Sequence, residues 1–175
     1  MPRESARDYV VDAFPSELGW IAVIGDGRTL RALAFGHKSA DSACKALGAS
    51  LVAGARRVTW NRELAKRLQA YAAGAEDMFL DIETDPGPVT PFRRKVLETC
   101  RRIPWGSTLS YGELASRVGC PGAARAVGNC MAKNCIPLVI PCHRVLASGG
   151  RLGGYSAPGG LSMKRRLLRL ERSMD

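Results

Sequence analysis

Residues 137–145 read Pro137-Leu138-Val139-Ile140-Pro141-Cys142-His143-Arg144-Val145, which sets a thiol, an imidazole and a guanidinium side by side at the end of an apolar run. A thiolate is a soft nucleophile, and nearby cationic groups favour it over the thiol. Pro141 removes a backbone donor and biases Ile140 toward an extended conformation, so a buried strand is predicted to end there. The turn that follows would expose the sulfur. On these residues alone a structural cysteine remains an equal alternative, because buried cysteines are usually inert and neighbours on a strand point to opposite faces.

The elements that must position this segment are mostly helical. Thr90-Pro91 is an N-cap and first-turn pair, followed by Phe92, Val96, Leu97 and Cys100 on one helical face. Ser110-Tyr111-Gly112-Glu113 has the spacing of a capping box, which predicts a helix from Tyr111 that buries Leu114, Ala115 and Val118. Gly119-Cys120-Pro121-Gly122 breaks the chain, and a second helix is predicted from about Gly122 to Met131. Helix, short turn and helix give the outline of a helix-turn-helix. The second helix carries one long polar side chain, Arg125, among Ala123, Ala124, Ala126 and Gly128. Such a narrow rod suits close approach to a minor groove with one inserted arginine. Packing of the small residues against another helix is the alternative.

Charge divides the chain in the same way. Residues 1–90 carry 11 Lys and Arg against 12 Asp and Glu, whereas residues 91–175 carry 15 against 4. The basic half holds the Cys-His segment and suits a polyanion such as nucleic acid. Three prolines and a glycine between residues 83 and 91 cannot continue a helix or a central strand. The fold class expected is therefore α+β, with a small β-rich amino-terminal domain at 1–85, a linker at 86–90, and a mainly helical domain with the helix-turn-helix at 91–175. In the first half, strands are predicted at residues 9–11, 20–24 and 30–35, with Asp26-Gly27 as a hairpin turn, and another strand at 78–82. Helical spacing marks residues 39–47 and 61–73. The half shows no catalytic constellation and is expected to be scaffold.

Six cysteines (Cys44, Cys100, Cys120, Cys130, Cys135 and Cys142) form no C-x-x-C pair, and only His37 and His143 could join them as soft ligands. Reduced thiols are expected rather than a zinc site or a disulfide framework. Residues 1–8 contain acids and no apolar run, and no segment reaches the roughly 18 apolar residues that span a bilayer. Neither export nor membrane insertion is indicated.

The order of these motifs resembles the O6-alkylguanine-DNA alkyltransferases. The resemblance rests on Ser110 to Ala115, Gly122 to Gly128, Asn134, Ile140 to Val145, Gly154-Tyr155, Leu167-Leu168 and Glu171, and it covers residues 90–172. It implies a stoichiometric DNA repair protein that flips an O6-alkylated guanine, or an O4-alkylated thymine, from double-stranded DNA and transfers the alkyl group irreversibly to a cysteine. By the same resemblance Cys142 is the acceptor, His143 takes its proton through a water, and Glu171 is the carboxylate partner of His143. Tyr111 assists the departing purine, and Asn134 buttresses the turn. Tyr155, Ser156 and the Val145 backbone line the alkylguanine pocket. Arg125 fills the gap left by the flipped base, with Ala123, Ala124, Ala126 and Gly128 forming the DNA-facing surface around it. A cytoplasmic monomer is implied, with no cofactor, membrane or obligate protein partner.

Three features depart from the family pattern. Cys135 stands where proline is usual, leaving the turn without proline's rigidity and adding a second thiol near the site. The loop from Tyr155 to Gly160 is about two residues longer. Some relatives hold zinc through amino-terminal cysteines and histidines, whereas this half has only Cys44 and His37, so no metal is expected. Three other functions fit parts of the pattern. A protein that flags lesions without repair would lack the acceptor cysteine, a helix-turn-helix regulator would need more base-reading side chains, and a cysteine hydrolase would turn over repeatedly.

Overall fold

The computed structural model describes residues 8–172. The reading of a missing leader falls outside this span except for Asp8. The fold is α+β. Strands β1 (Val10–Phe14), β2 (Trp20–Asp26) and β3 (Thr29–His37) form the antiparallel meander expected from the Asp26-Gly27 turn. Helix α1 (Ala40–Ala46) starts at Ser39 with a capping box to Ser42. A short helix α2 (Ala49–Val52) and a two-residue strand β4 (Arg56–Arg57), neither foreseen, bring the chain back parallel to β1. Helix α3 (Arg62–Ala72) follows, capped by the Asn61 side chain.

Alternation along the strands gives the sheet two apolar faces. Val11, Ala22, Ile24, Ala32 and Ala34 pack against Ala43 and Cys44 of α1 and Leu47 at its end. Ile21, Val23, Leu30, Leu33 and Phe35 face the other way, into the cluster that holds Leu64, Leu68 and Tyr71 of α3 and continues into the second half through Val96, Leu97, Leu114, Val127, Ile140 and Leu167. Full burial of each large apolar side chain stabilises by roughly 1.5–3 kcal/mol.

Residues 78–82 do not form a strand. Asp77 accepts from the Phe79 amide at 2.8 Å, Phe79 takes a positive φ of 50°, and Arg101 holds the carbonyls of Phe79 and Ile82. Local polar contacts thus curl the segment so that Phe79 is buried and Leu80 exposed. Residues 83–85 then run beside β3, where Leu30 donates to the Glu83 carbonyl and accepts from the Asp85 amide.

In the second half, helix α4 (Pro91–Arg101) begins at Thr90, whose hydroxyl accepts from the Arg93 amide. Strand β5 (Leu109–Ser110) leads into α5 (Tyr111–Arg117), and the Ser110–Glu113 capping box is present in both directions. Helix α6 (Ala124–Ala132) starts two residues later than expected because Gly122 adopts φ +88°. Strand β6 (Val145–Leu146) pairs parallel with β5, and α7 (Gly160–Arg172) closes the described chain. The apolar run before Cys142 is not a strand either. The Ile140 amide bonds to the Ile136 carbonyl and Leu138 has φ +69°, so the run is a buried coil. Among the described residues no helix is long and apolar enough to cross a membrane.

Candidate active site

Cys142 opens a single 3-10 turn, Cys142–Arg144, whose first backbone amide bonds to the Ile140 carbonyl at 2.8 Å. The sulfur is more enclosed than the sequence suggested, since the residue is only 7% exposed. Cys142 nevertheless lines two cavities. One, of about 980 Å³, lies along α6 and is bordered by Tyr111, Arg125, Gly128, Met131, Tyr155 and Ser156. The other, of about 380 Å³, lies between the β3 edge and the loop at 155–158. Parallel pairing of Leu109 with Val145 and Ser110 with Leu146 sets the start of α5 beside the turn bearing Cys142, which is how Tyr111 comes to share a cavity with Cys142.

Behind the sulfur the side chains are sealed. His143 is 0% exposed and Glu171 3%. Nε2 of His143 lies 2.7 Å from Oε1 of Glu171, while Nδ1 is buried without a hydrogen-bond partner. Arg144 does not face the thiol, contrary to the expectation that it would favour the thiolate. Its guanidinium donates to both Glu171 oxygens, from Nε at 2.9 Å and Nη2 at 2.9 Å, and to the Ile103 carbonyl. This arrangement sets the protonation states. Burial raises the Glu171 pKa, but hydrogen bonds from His143 and Arg144 outweigh it and hold the carboxyl down at about 2. Burial lowers His143, against the pull of Glu171, whose charge Arg144 partly offsets. Burial likewise raises Cys142, although the Asn134 amide and the Lys164 ammonium oppose it. The resting site is therefore a neutral thiol, a neutral imidazole and an ionised carboxylate. Glu171, as acceptor, fixes the proton on Nε2 and leaves Nδ1 as a base.

Asn134 spans the turn, its amide donating to the Ile140 carbonyl at 2.8 Å while its oxygen accepts from the Ile136 amide. The Cys135 carbonyl accepts from Leu33 of β3 at 2.9 Å, so a backbone bond to the sheet anchors the turn where proline is missing. The Cys135 sulfur sits near the Arg31 and Pro86 carbonyls and shares the smaller cavity with Cys142.

Tyr111 is half-buried, and a Cβ on Gly153, which has φ +69°, would lie 2.9 Å from its hydroxyl. Glycine at 153 is what lets the ring in. The Tyr155 hydroxyl is buried and unpartnered. Ser156 is exposed at the rim. Val145 lines neither cavity: it is fully buried, and its carbonyl accepts from Lys164 at 2.7 Å. Lys164, missed in the sequence, is fully buried and also holds the Leu152 and Gly154 carbonyls, tying the segment at 152–154 to Val145. Only its place on the inward face of α7, beside Leu167 and Leu168, could have flagged it.

On α6, Arg125 and Ala126 are exposed, Ala123 and Ala124 are half-buried, and a Cβ on Gly128 would meet nothing within 4 Å. Val127, Cys130 and Met131 form the packed face. Among the described residues, Ala126 and Gly128 thus face open space, whereas Ala123 packs against the core. Tyr71 of α3 is a second residue missed in the sequence, with its hydroxyl 2.7 Å from Glu171 Oε1 and 3.3 Å from His143 Nε2. Among the described residues no group of three or more His, Cys, Asp or Glu side chains could hold a metal ion.

Comparison with known proteins places this geometry. Residues 91–173 match the family model for the 6-O-methylguanine DNA methyltransferase DNA-binding domain. The methylated-DNA–protein-cysteine methyltransferase of Mycobacterium tuberculosis strain H37Rv is 47% identical over 107 residues, which cover 61% of this chain and 62% of that relative. The chain thus spans less than two thirds of the length of that curated relative. The solved O6-methylguanine methyltransferase of M. tuberculosis superposes with a TM-score of 0.78 at 32% identity, covering 95% of this chain and 94% of that one. M. tuberculosis OGT in complex with DNA superposes with a TM-score of 0.77 at 34% identity, covering 93% and 92%. Motif order, the turn bearing Cys142, and a likeness extending over both halves agree: the chain belongs to the O6-alkylguanine-DNA alkyltransferase family.

Proposed function

We propose that this protein repairs double-stranded DNA by transferring the alkyl group of an extrahelical O6-alkylguanine, once and irreversibly, to Cys142. The observation that carries this reading is the two-sided placement of Cys142. The residue borders the cavity along α6, while the adjacent His143 has one nitrogen fixed by Glu171 and the other unpartnered. A buried neutral thiol is a weak nucleophile, so it must lose its proton as it attacks. Nδ1 of His143, acting through a water, is the base in reach. The sulfur–carbon bond forms as the carbon–oxygen bond breaks, and the electron pair goes to the purine oxygen. The Tyr111 hydroxyl stabilises that developing charge, and the purine leaves after gaining one proton, which balances the one that Cys142 gives up to His143. A thioether offers no easy return path, so the protein is consumed.

DNA is held by the exposed face of α6, whose small residues allow close approach while Arg125 occupies the space of the flipped nucleotide. Tyr155 and Ser156 border the base pocket, and Asn134 keeps the turn rigid. Residues 91–175 carry the DNA contacts and the acceptor, with residues 1–85 as the smaller domain and 86–90 between them. All six cysteines are free, in keeping with the reducing cytoplasm, where the protein is proposed to act as a monomer without a cofactor.

Stoichiometry tests the reading. A duplex oligonucleotide with one O6-methylguanine should yield at most one equivalent of restored guanine per protein. Turnover beyond one equivalent would contradict it and favour a hydrolase, and DNA binding without restored guanine would favour a lesion-flagging protein.

A further inference from the structure

The relay behind Cys142 is not built from the carboxy-terminal half alone. Tyr71, near the end of α3, is 0% exposed, and its ring packs edge-on against Trp105 at 5.3 Å and beside Phe79 at 5.7 Å. This packing leaves the hydroxyl one place to go. It donates to Oε1 of Glu171 at 2.7 Å and lies 3.3 Å from Nε2 of His143. Oε1 also accepts from His143 at 2.7 Å and from Arg144 at 2.9 Å and 3.2 Å. Four donors therefore crowd one oxygen.

We infer that Tyr71 is a positioning residue of the transfer reaction, its hydroxyl holding the Glu171 carboxylate in place and weakening its pull on His143. The inference rests on the relay assigned above. Each donor on Oε1 withdraws electron density that would otherwise attract the Nε2 proton. If Glu171 pulled harder, the imidazole would take up a proton more readily at rest, and a protonated imidazole cannot accept the thiol proton. Tyr71 thus keeps His143 neutral and available near pH 7. The groups facing His143 are Glu171 and Lys164 from α7, Arg144 from its own turn and Tyr71 from α3, with Cys142 beside it. Of these, Tyr71 alone comes from the amino-terminal half. Burial and the Glu171 carboxylate both raise its own pKa, so it remains a donor throughout.

Tyr71→Phe removes the hydroxyl and keeps the ring. In the full-length protein, alkyl transfer from an O6-methylguanine duplex should slow by at most about threefold near pH 7 and by about tenfold at pH values below the acid limb, the scale of one hydrogen bond to a charged group. The acid limb of the rate–pH profile should move upward by on the order of one unit. The chain has two histidines, so the His143 ring can be followed by NMR, and its titration should rise in step. Leu68→Val on the same helix is the packing control and should lower the melting temperature without moving the profile. An unchanged rate and profile in Tyr71→Phe, or a loss matched by Leu68→Val with no shift in His143, would overturn the inference. If Tyr71→Phe folds too poorly to assay, the wild-type protein decides. Its Tyr71 hydroxyl proton should exchange slowly and cross-relax with the His143 ring, and failure to do so would reject the contact. Absence of any alkyl transfer by the wild-type protein would instead defeat the repair reading itself.

Discussion

The two sides of Cys142 are built on opposite principles. Behind the sulfur, Tyr71, His143, Arg144 and Glu171 are almost wholly buried and joined by hydrogen bonds between 2.7 and 3.3 Å. In front of it, α6 presents Arg125, Ala126 and Gly128 to open space. Proton transfer needs fixed geometry and a low dielectric, which burial supplies at the cost of desolvating charges. Recognition of an extruded base needs a surface that can approach DNA closely, and this demands few side chains. Substitutions on the two sides should therefore fail differently.

The largest effect is expected at Glu171. Glu171→Gln leaves the Arg144 guanidinium buried without its counter-ion, and stability should fall by about 3–5 kcal/mol, the usual cost of breaking a buried pair. Thermal unfolding would measure this, and transfer should be lost in whatever fraction remains folded. Full stability with normal transfer would show that the buried side does not depend on its charges.

Acid should act on the same side in two stages. His143 has a folded pKa below 6.5, so the unfolded chain binds its proton more readily and stability declines as pH drops below about 6.5. Glu171 falls from 4.5 to about 2 on folding, so its contribution is complete above 4.5 and is lost as pH descends toward 2. Denaturant titrations across this range should show both stages in the wild-type protein and a smaller lower stage in Glu171→Gln, the remainder coming from Asp41, Asp77, Asp81 and Glu113, whose carboxyls are also held below their usual range.

The open side should give effects on DNA without effects on the fold. Arg125→Ala should slow repair in duplex DNA far more than reaction with free O6-benzylguanine, because base extrusion costs a few kcal/mol that only the duplex imposes. Equal slowing of both would remove Arg125 from the role of filling the gap. Gly128→Ala sharpens the contrast. Its Cβ meets no neighbour, so the helix should gain up to about 1 kcal/mol. Duplex repair should nonetheless weaken, since the methyl group intrudes on the DNA-facing surface. A more stable variant with undiminished repair would mean that α6 does not approach DNA as closely as proposed.

Much of the open side was legible in the sequence because its signals are local. The Thr90-Pro91 cap, the Ser110–Glu113 box and the break at Gly122 each act within a few residues, and each is present as read. The turn at Cys142 was legible as a motif, but its surroundings were not. Arg144 was read as a neighbour of the thiol, since adjacency in sequence says nothing of where a side chain turns. Tyr71 lies 100 residues from Glu171 in sequence, and no local pattern connects them. The same limit explains why β5 and β6, only two residues each, went unseen although their pairing brings Tyr111 to the site. Residues 78–82 and 137–140 were misread as strands because apolar content alone does not distinguish an extended run from a buried coil pinned by Arg101 or Asn134.

The central claim is that one thiol receives the alkyl group because it alone stands between the two sides. The most direct measurement is a peptide map of the protein after reaction with a duplex carrying a single O6-methylguanine. The account predicts one added methylene, found on the peptide containing Cys142, and no transfer by Cys142→Ala. Label on Cys135 or Cys100, or transfer that survives loss of Cys142, would contradict it.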